Sequence, residues 1–284
     1  MPRNALVISY LFIIFSVVPN ALAQPKTDAF LTKLFSQNEN PVFQEVIRQP
    51  EKYRLQILYT RIDRNARNKP TFTDFAFNLD STFYFNPASI VKLPLVLLSL
   101  EKINRMNMPG VDKFTPMQFD SAFGGQTREW YDTTAQIGFP SVAHFIRKAF
   151  LVSENDPYSR LYEFVGQQAI NRRLHGMGYA DTHITHRFVR MSAEENRHTN
   201  PIRFVREDGS LIHAQPAAYN ADPFDFRRID KLGKGYMAGD SLVSEPFDFS
   251  TKNKLPLEAF HTMLRATLFP ASVPARQRFD LTED

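Results

Sequence analysis

The 284-residue chain contains no cysteine, which excludes disulfide cross-links and thiolate catalysis together. Beyond the N-terminus no stretch approaches the ~18 apolar residues that a membrane-spanning helix needs. Charge of one sign is also scarce. The formal net charge of +4 is too mild to argue for nucleic acid as a partner. There is no internal repeat and no low-complexity tract. His183 and His186 stand at helical spacing without a His-Glu-x-x-His pattern, so they read as surface-loop residues rather than metal ligands. The stretch "GDSLV" at 239–243 is not Gly-x-Ser-x-Gly, and "GMG" and "GKG" read as turns rather than a phosphate loop. No metal and no cofactor is expected.

What is present begins with a leader. "MPRN" is short and basic, "ALVISYLFIIFSVV" is a 14-residue apolar run, and "ALA" precedes Gln24 as a small-x-small cleavage site. This pattern predicts a secretory signal peptide over residues 1–23 and one mature domain over 24–284. Its net charge falls to +3 once Arg3 leaves with the leader. About 260 residues suffice for a proper core. An exported chain without cysteine suits the bacterial periplasm, and a monomer is expected.

The periodicity of "TDAFLTKLFSQN" predicts a helix with Thr27 as its cap, and "PVFQEVIRQP" reads as a strand or a short helix. "YRLQILYTRIDR" and "TFTDFAFNLD" alternate and form a hairpin around "NARNKP". A helix follows from Pro87 to about Asn104, then a mostly helical block over 115–200. A second hairpin turns at Asp208-Gly209. Residues 216–255 are loop-rich, and "LPLEAFHTMLRATLF" is a late amphipathic helix. Two strands rarely stand alone, so either the second hairpin completes the first sheet or the chain ends before its sheet does.

The run "NPASIVKLPLVLL" at 86–98 is the most informative. Asn86 can cap a helix and Pro87 suits its first turn. Ser89 then lies at the helix N-terminus, where free N–H groups favour developing negative charge. Lys92, three residues on, shares its face. The apolar surroundings lower a lysine pKa, and a neutral amine can take a proton from serine. A second Ser-x-x-Lys, Ser99 and Lys102, lies inside the same helix and reads as a solvated helix end. Downstream, "SEN" places Ser153, Glu154 and Asn155 in a break between two helices. There Ser153 can pass a proton and Asn155 can hydrogen-bond a substrate carbonyl.

This set resembles the class A β-lactamase and penicillin-binding-protein superfamily of active-site serine enzymes, whose motifs are Ser-x-x-Lys, Ser-Asp-Asn and Lys-Thr-Gly. "PASIVK" looks like the first, and "SEN" like the second with Glu for Asp. The resemblance implies an α+β fold, a helical block packed on an antiparallel sheet. It implies Ser89 as nucleophile, Lys92 as its base, Ser153 as proton relay and Asn155 as substrate-binding residue. Substrates would be β-lactams or peptidoglycan-peptide amides. No Lys-[Thr/Ser]-Gly is found, and Lys234 in "LGKGYMAG" precedes the late helix. The expectation is a chain incomplete at its C-terminus, with the last sheet strands missing. Phe188 or Val189 falls where class A enzymes carry an Ω-loop glutamate, and Glu194 and Glu195 follow. Without that base an acyl-enzyme would hydrolyse slowly. A D,D-peptidase-like or esterase-like enzyme, or an inactive envelope binding protein of the same fold, therefore stands beside the β-lactamase reading.

Overall fold

The structure is a computed structural model that describes residues 26–226 and 228–282. The signal-peptide reading of residues 1–23 lies outside them. Helix α1 (Ala29–Ser36) is followed by α2 (Pro41–Arg48), in which Asn40 Oδ1 accepts from the N–H groups of Val42 and Phe43. Thr27 is not the α1 cap. Asp28 holds that position, and Thr27 Oγ1 accepts instead from Asn78 N at 2.9 Å.

Strands β1 (Ile57–Arg64) and β2 (Pro70–Phe77) form the expected hairpin, with Ile57 opposite Phe77 and Arg64 opposite Pro70. Their alternation explains what covers each face. On one face Phe30 of α1 packs 4.4 Å from Phe75, with Tyr59 alongside. On the other, Thr60 lies 2.6 Å from His261 and Asp74 lies 2.9 Å from Arg265, both on the late helix.

The chain then makes a tight turn over Ala88–Val91 and runs into α3 (Lys92–Met106). Strand β3 (Met117–Phe119) is followed by α4 (Val142–Leu151), α5 (Asn155–Val165) and α6 (Gln167–Gly176). Strands β4 (Ile202–Val205) and β5 (Leu211–Gln215) form the second hairpin, and Gly209 at its turn takes φ +82°, which suits glycine. This hairpin does not complete the first sheet. β4 pairs antiparallel with β3, giving a separate three-stranded sheet in the order β3-β4-β5. The β1–β2 ribbon has no third strand among the described residues.

The loop-rich segment contains two short antiparallel pairs. β6 (Lys231–Leu232) pairs with β9 (Phe247–Asp248), and β7 (Tyr236–Ala238) with β8 (Ser241–Val243). Lys234 sits exposed in the turn between β6 and β7, outside either strand. Helix α7 (Leu257–Leu268) closes the order.

The fold is thus α+β, with four small antiparallel sheets among the described residues, the largest of three strands. The core gathers Leu95, Leu98, Phe145, Leu161 and Phe164 from the helices with Met117, Phe119, Ile202 and Phe204 from the three-stranded sheet. At roughly 1.5–3 kcal/mol per fully buried large apolar side chain, this core fixes the α3 N-terminus against the α4–α5 junction.

Candidate active site

Ser89 is exposed, in the turn that leads into α3, and Ala88 before it takes φ +41°. A left-handed alanine is strained, and such outliers persist where surrounding structure over-determines them. Here Pro87 is buried and Asn86 Oδ1 accepts from Ala88 N at 3.2 Å, so Asn86 fixes the turn rather than capping the α-helix itself. Pro94 falls at the third position of α3, where its missing N–H removes no intrahelical bond.

Lys92 is only 2% exposed. Its ammonium donates to Ser153 O at 2.5 Å, Ser153 Oγ at 3.1 Å and Asn155 Oδ1 at 3.2 Å. Ser153 Oγ lies 3.0 Å from Ser89 Oγ. The four residues singled out in the sequence therefore meet at one point, in an order the spacing did not show. Lys92 reaches Ser89 through Ser153. Because hydroxyl hydrogens rotate, the chain Ser89–Ser153–Lys92 can carry a proton in either direction. Burial pulls the Lys92 amine below the usual lysine range, and the charge of Glu154 pushes partly back. Asn155 gives its carbonyl oxygen to Lys92, which leaves its NH2 free to meet a ligand.

Ser153 occupies the break between α4 and α5 at φ +55°, again left-handed. The adjacent Glu154 holds the loop from outside, its carboxylate 3.2 Å from Lys148 Nζ and its N–H on Lys148 O at 3.3 Å. Lys148 is fixed in turn by Asp132 at 2.9 Å, which His144 also meets at 2.8 Å. The sequence offered no sign of this brace. Its partners are side chains from a loop and from α4, and only the Glu in place of Asp marked the position.

Phe188 closes the other side. Its ring stacks on Tyr158 at 4.4 Å, and Lys92 Nζ sits 5.8 Å from its centroid. Glu194 instead pairs with His198 at 3.2 Å, and Glu195 accepts from Ser192 N at 2.6 Å, so neither reaches Ser89 or Lys92. Below, Asn253 accepts from Thr185 N, Thr185 Oγ1 and His186 N, and donates to Tyr158 OH. It fixes the backbone that delivers Phe188.

Two sequence expectations need revision here. Lys102 is not a solvated helix end. It donates to Phe164 O and Gln215 Oε1, and burial pushes its pKa down to about 8. Ser99 is fully buried and bonds Leu95 O at 2.8 Å, so this second pair forms no site. His183 and His186 lie in a loop as expected but are half-buried, and both imidazoles are held below the usual range, chiefly by burial. No cluster able to hold a metal occurs among the described residues.

A serine hydroxyl linked through a second serine to a buried lysine can act as a nucleophile with its base. The model of the beta-lactamase enzyme family matches residues 43–214, more than half of the chain, and the chain belongs to that family. Its general character is accordingly that of a serine hydrolase. No curated protein and no solved structure matches the chain.

Proposed function

We propose that the protein is an exported serine hydrolase that opens β-lactams or related cell-wall peptide amides through an acyl-enzyme on Ser89. The observation that carries this reading is the continuous path from Ser89 Oγ to Ser153 Oγ at 3.0 Å and on to Lys92 Nζ at 3.1 Å. With Lys92 neutral, Ser89 gives its proton to Ser153 while Ser153 gives its own to the amine. The Ser89 oxygen attacks the carbonyl and the C–N bond breaks. Ser153 gives a proton to the leaving nitrogen as Lys92 returns its own to Ser153, which resets the amine to neutral. The Asn155 NH2 orients the substrate carbonyl, and the Ser89 N–H serves as one oxyanion donor.

Phe188 favours a second reading within the same chemistry. An aromatic ring beside Lys92 cannot activate water, so the acyl-enzyme would persist, as in a D,D-peptidase-like or esterase-like penicillin-binding enzyme. Export rests on the leader pattern of residues 1–23, and the periplasm is the compartment proposed. N-terminal sequencing of material from a periplasmic extract checks it, with Gln24 expected as the first residue.

The decisive test is incubation with a fluorescent penicillin. A covalent adduct that disappears in Ser89→Ala supports the reaction. Absence of any adduct on the folded protein sinks it and leaves a non-catalytic binding protein. Nitrocefin turnover after adduct formation then separates hydrolysis from trapping.

A further inference from the structure

A cavity of about 440 Å³ lies apart from Ser89 and Lys92. Its volume falls within the ~300–1,000 Å³ range usual for small-molecule sites. Tyr84 and three chain segments build it: the end of α6 with the loop that follows, residues 223–226 with Arg228 and Asp230, and residues 249–254. Pairing holds these together, with β6 against β9, Asp230 N on Ser250 Oγ at 2.9 Å, and His183 bridged to Lys254 through both backbone bonds.

The lining has a definite chemistry. Tyr84, Phe224, Phe226 and Phe249 supply aromatic wall, and Phe224 and Phe226 stack at 5.4 Å. Among the rings, His183 Nδ1 is buried and has no hydrogen-bond partner. Burial pushes its pKa down to about 4, so the ring is neutral at pH 7 and can meet either a donor or an acceptor. At the rim Arg228 pairs with Asp230 at 2.9 Å, and Lys254 with Asp181 at 3.4 Å. Asp225 and Lys252 complete the charged set, and the formal charges of the described lining cancel.

With Arg228 and Lys254 each paired to a carboxylate and the formal charges of the described lining balanced, a net charge on the ligand finds no ready complement there. A neutral ligand with an apolar ring face and a belt of hydroxyls does. The C–H face of a pyranose packs on aromatic rings, and each hydroxyl, donor and acceptor at once, can bridge a carboxylate to a guanidinium or meet His183 Nδ1. From this juxtaposition of aromatic wall, paired charges and an unpartnered imidazole nitrogen, we infer that the cavity is a neutral-saccharide-binding site separate from the Ser89 centre.

The probes are N-acetylglucosamine, galactose, mannose and β-1,4-linked tri-N-acetylglucosamine, titrated calorimetrically and by saturation-transfer NMR. At least one is expected to bind saturably, with Kd on the order of 1 mM for a single ring and little change with salt. Phe224→Leu and His183→Phe are each expected to weaken binding about tenfold. The second keeps a ring of similar size and removes only the polar atom. Both variants are expected to keep the parent's circular dichroism spectrum and its labelling by fluorescent penicillin. The inference is overturned if no probe binds the folded protein, if binding is unchanged in both variants, or if inorganic phosphate binds in preference to every sugar.

Discussion

Lys92 makes no ion pair with a carboxylate among the described residues, and its nitrogen is held by three oxygens of the Ser153–Asn155 turn. Burial is what disfavours the cation and pulls the amine below the usual lysine range, against the three acceptor oxygens, which favour the charged form. Acylation is expected to rise with pH through the Lys92 pKa, because only the neutral amine accepts the proton, and the limb should fall below the usual lysine range. Glu154 favours the charged form, so Glu154→Gln should move the limb further down while keeping an acceptor for Lys148. A limb that stays in place or moves up, measured by labelling rate against pH, refutes this. Lys92→Met should slow labelling by about 10²–10⁴-fold, the usual weight of a positioned base. The same residue-scale logic applies to Phe188. Phe188→Glu places a carboxylate beside Lys92, where a water could be activated. It is expected to speed loss of the penicillin adduct at least about tenfold in a single-turnover chase, whereas an unchanged lifetime would mean that Phe188 does not limit deacylation.

At the scale of elements, the α4–α5 junction decides whether Ser153 and Lys92 meet. Its left-handed serine is held from inside by Lys92 and from outside by the Glu154–Lys148–Asp132 chain. Burial alone would raise the Asp132 carboxyl, but hydrogen bonds from Thr134, His144 and Lys148 outweigh it and hold Asp132 well below the usual range. A depressed carboxyl pKa contributes stability that is complete above the unfolded value, about pH 4, and is lost as pH falls below it. Asp132→Asn should therefore cost about 2 kcal/mol at neutral pH and show a shallower loss of urea midpoint below about pH 4 than the parent. Equal acid slopes would exclude Asp132 as the source. The elements themselves were largely legible in the sequence. Both hairpins, the helix behind Ser89 and the late amphipathic helix follow from period-2 or period-3.6 patterning and turn residues. What the pattern could not give was pairing between elements. That β4 joins β3 rather than the first hairpin depends on a three-residue strand too short to carry a periodic signal. Ser89, Lys92, Ser153 and Asn155 were readable because each lies in a local motif. Asn253 and the Asp132 brace were not, since their partners lie at separations that no short motif records, 67 residues for Asn253 and His186.

For the whole molecule the question is what ties the chain's late segments to the helix that carries Lys92. Helix α7 grips the β1–β2 ribbon through His261 and Arg265. Asn104 bonds Asp280 O, and the most buried polar tie from α3 to the C-terminal segment is Glu101, nine residues along from Lys92. Its carboxylate is 3% exposed and accepts from Arg173 Nε at 2.9 Å, from a second Arg173 nitrogen at 2.8 Å, and from Asp280 N at 3.1 Å. Burial by itself would raise its pKa, and these donors bring it below the usual value. Arg105 adds a further contact at 2.9 Å but is 52% exposed. Removing one partner of a buried ion pair costs about 3–5 kcal/mol, whereas an exposed pair contributes about 0–1 kcal/mol. Glu101→Gln is therefore expected to lower Tm by roughly 6–15 °C for a chain of this size, with earlier proteolytic cleavage near Asp280. Arg105→Ala should change Tm by less than about 3 °C. If the two variants melt together, the stability resides in the apolar core alone and the Glu101 tie contributes nothing measurable. If only Glu101→Gln falls, a single buried carboxylate joins α3, α6 and the C-terminal segment, and the position of Lys92 depends on residues nearly two hundred positions downstream.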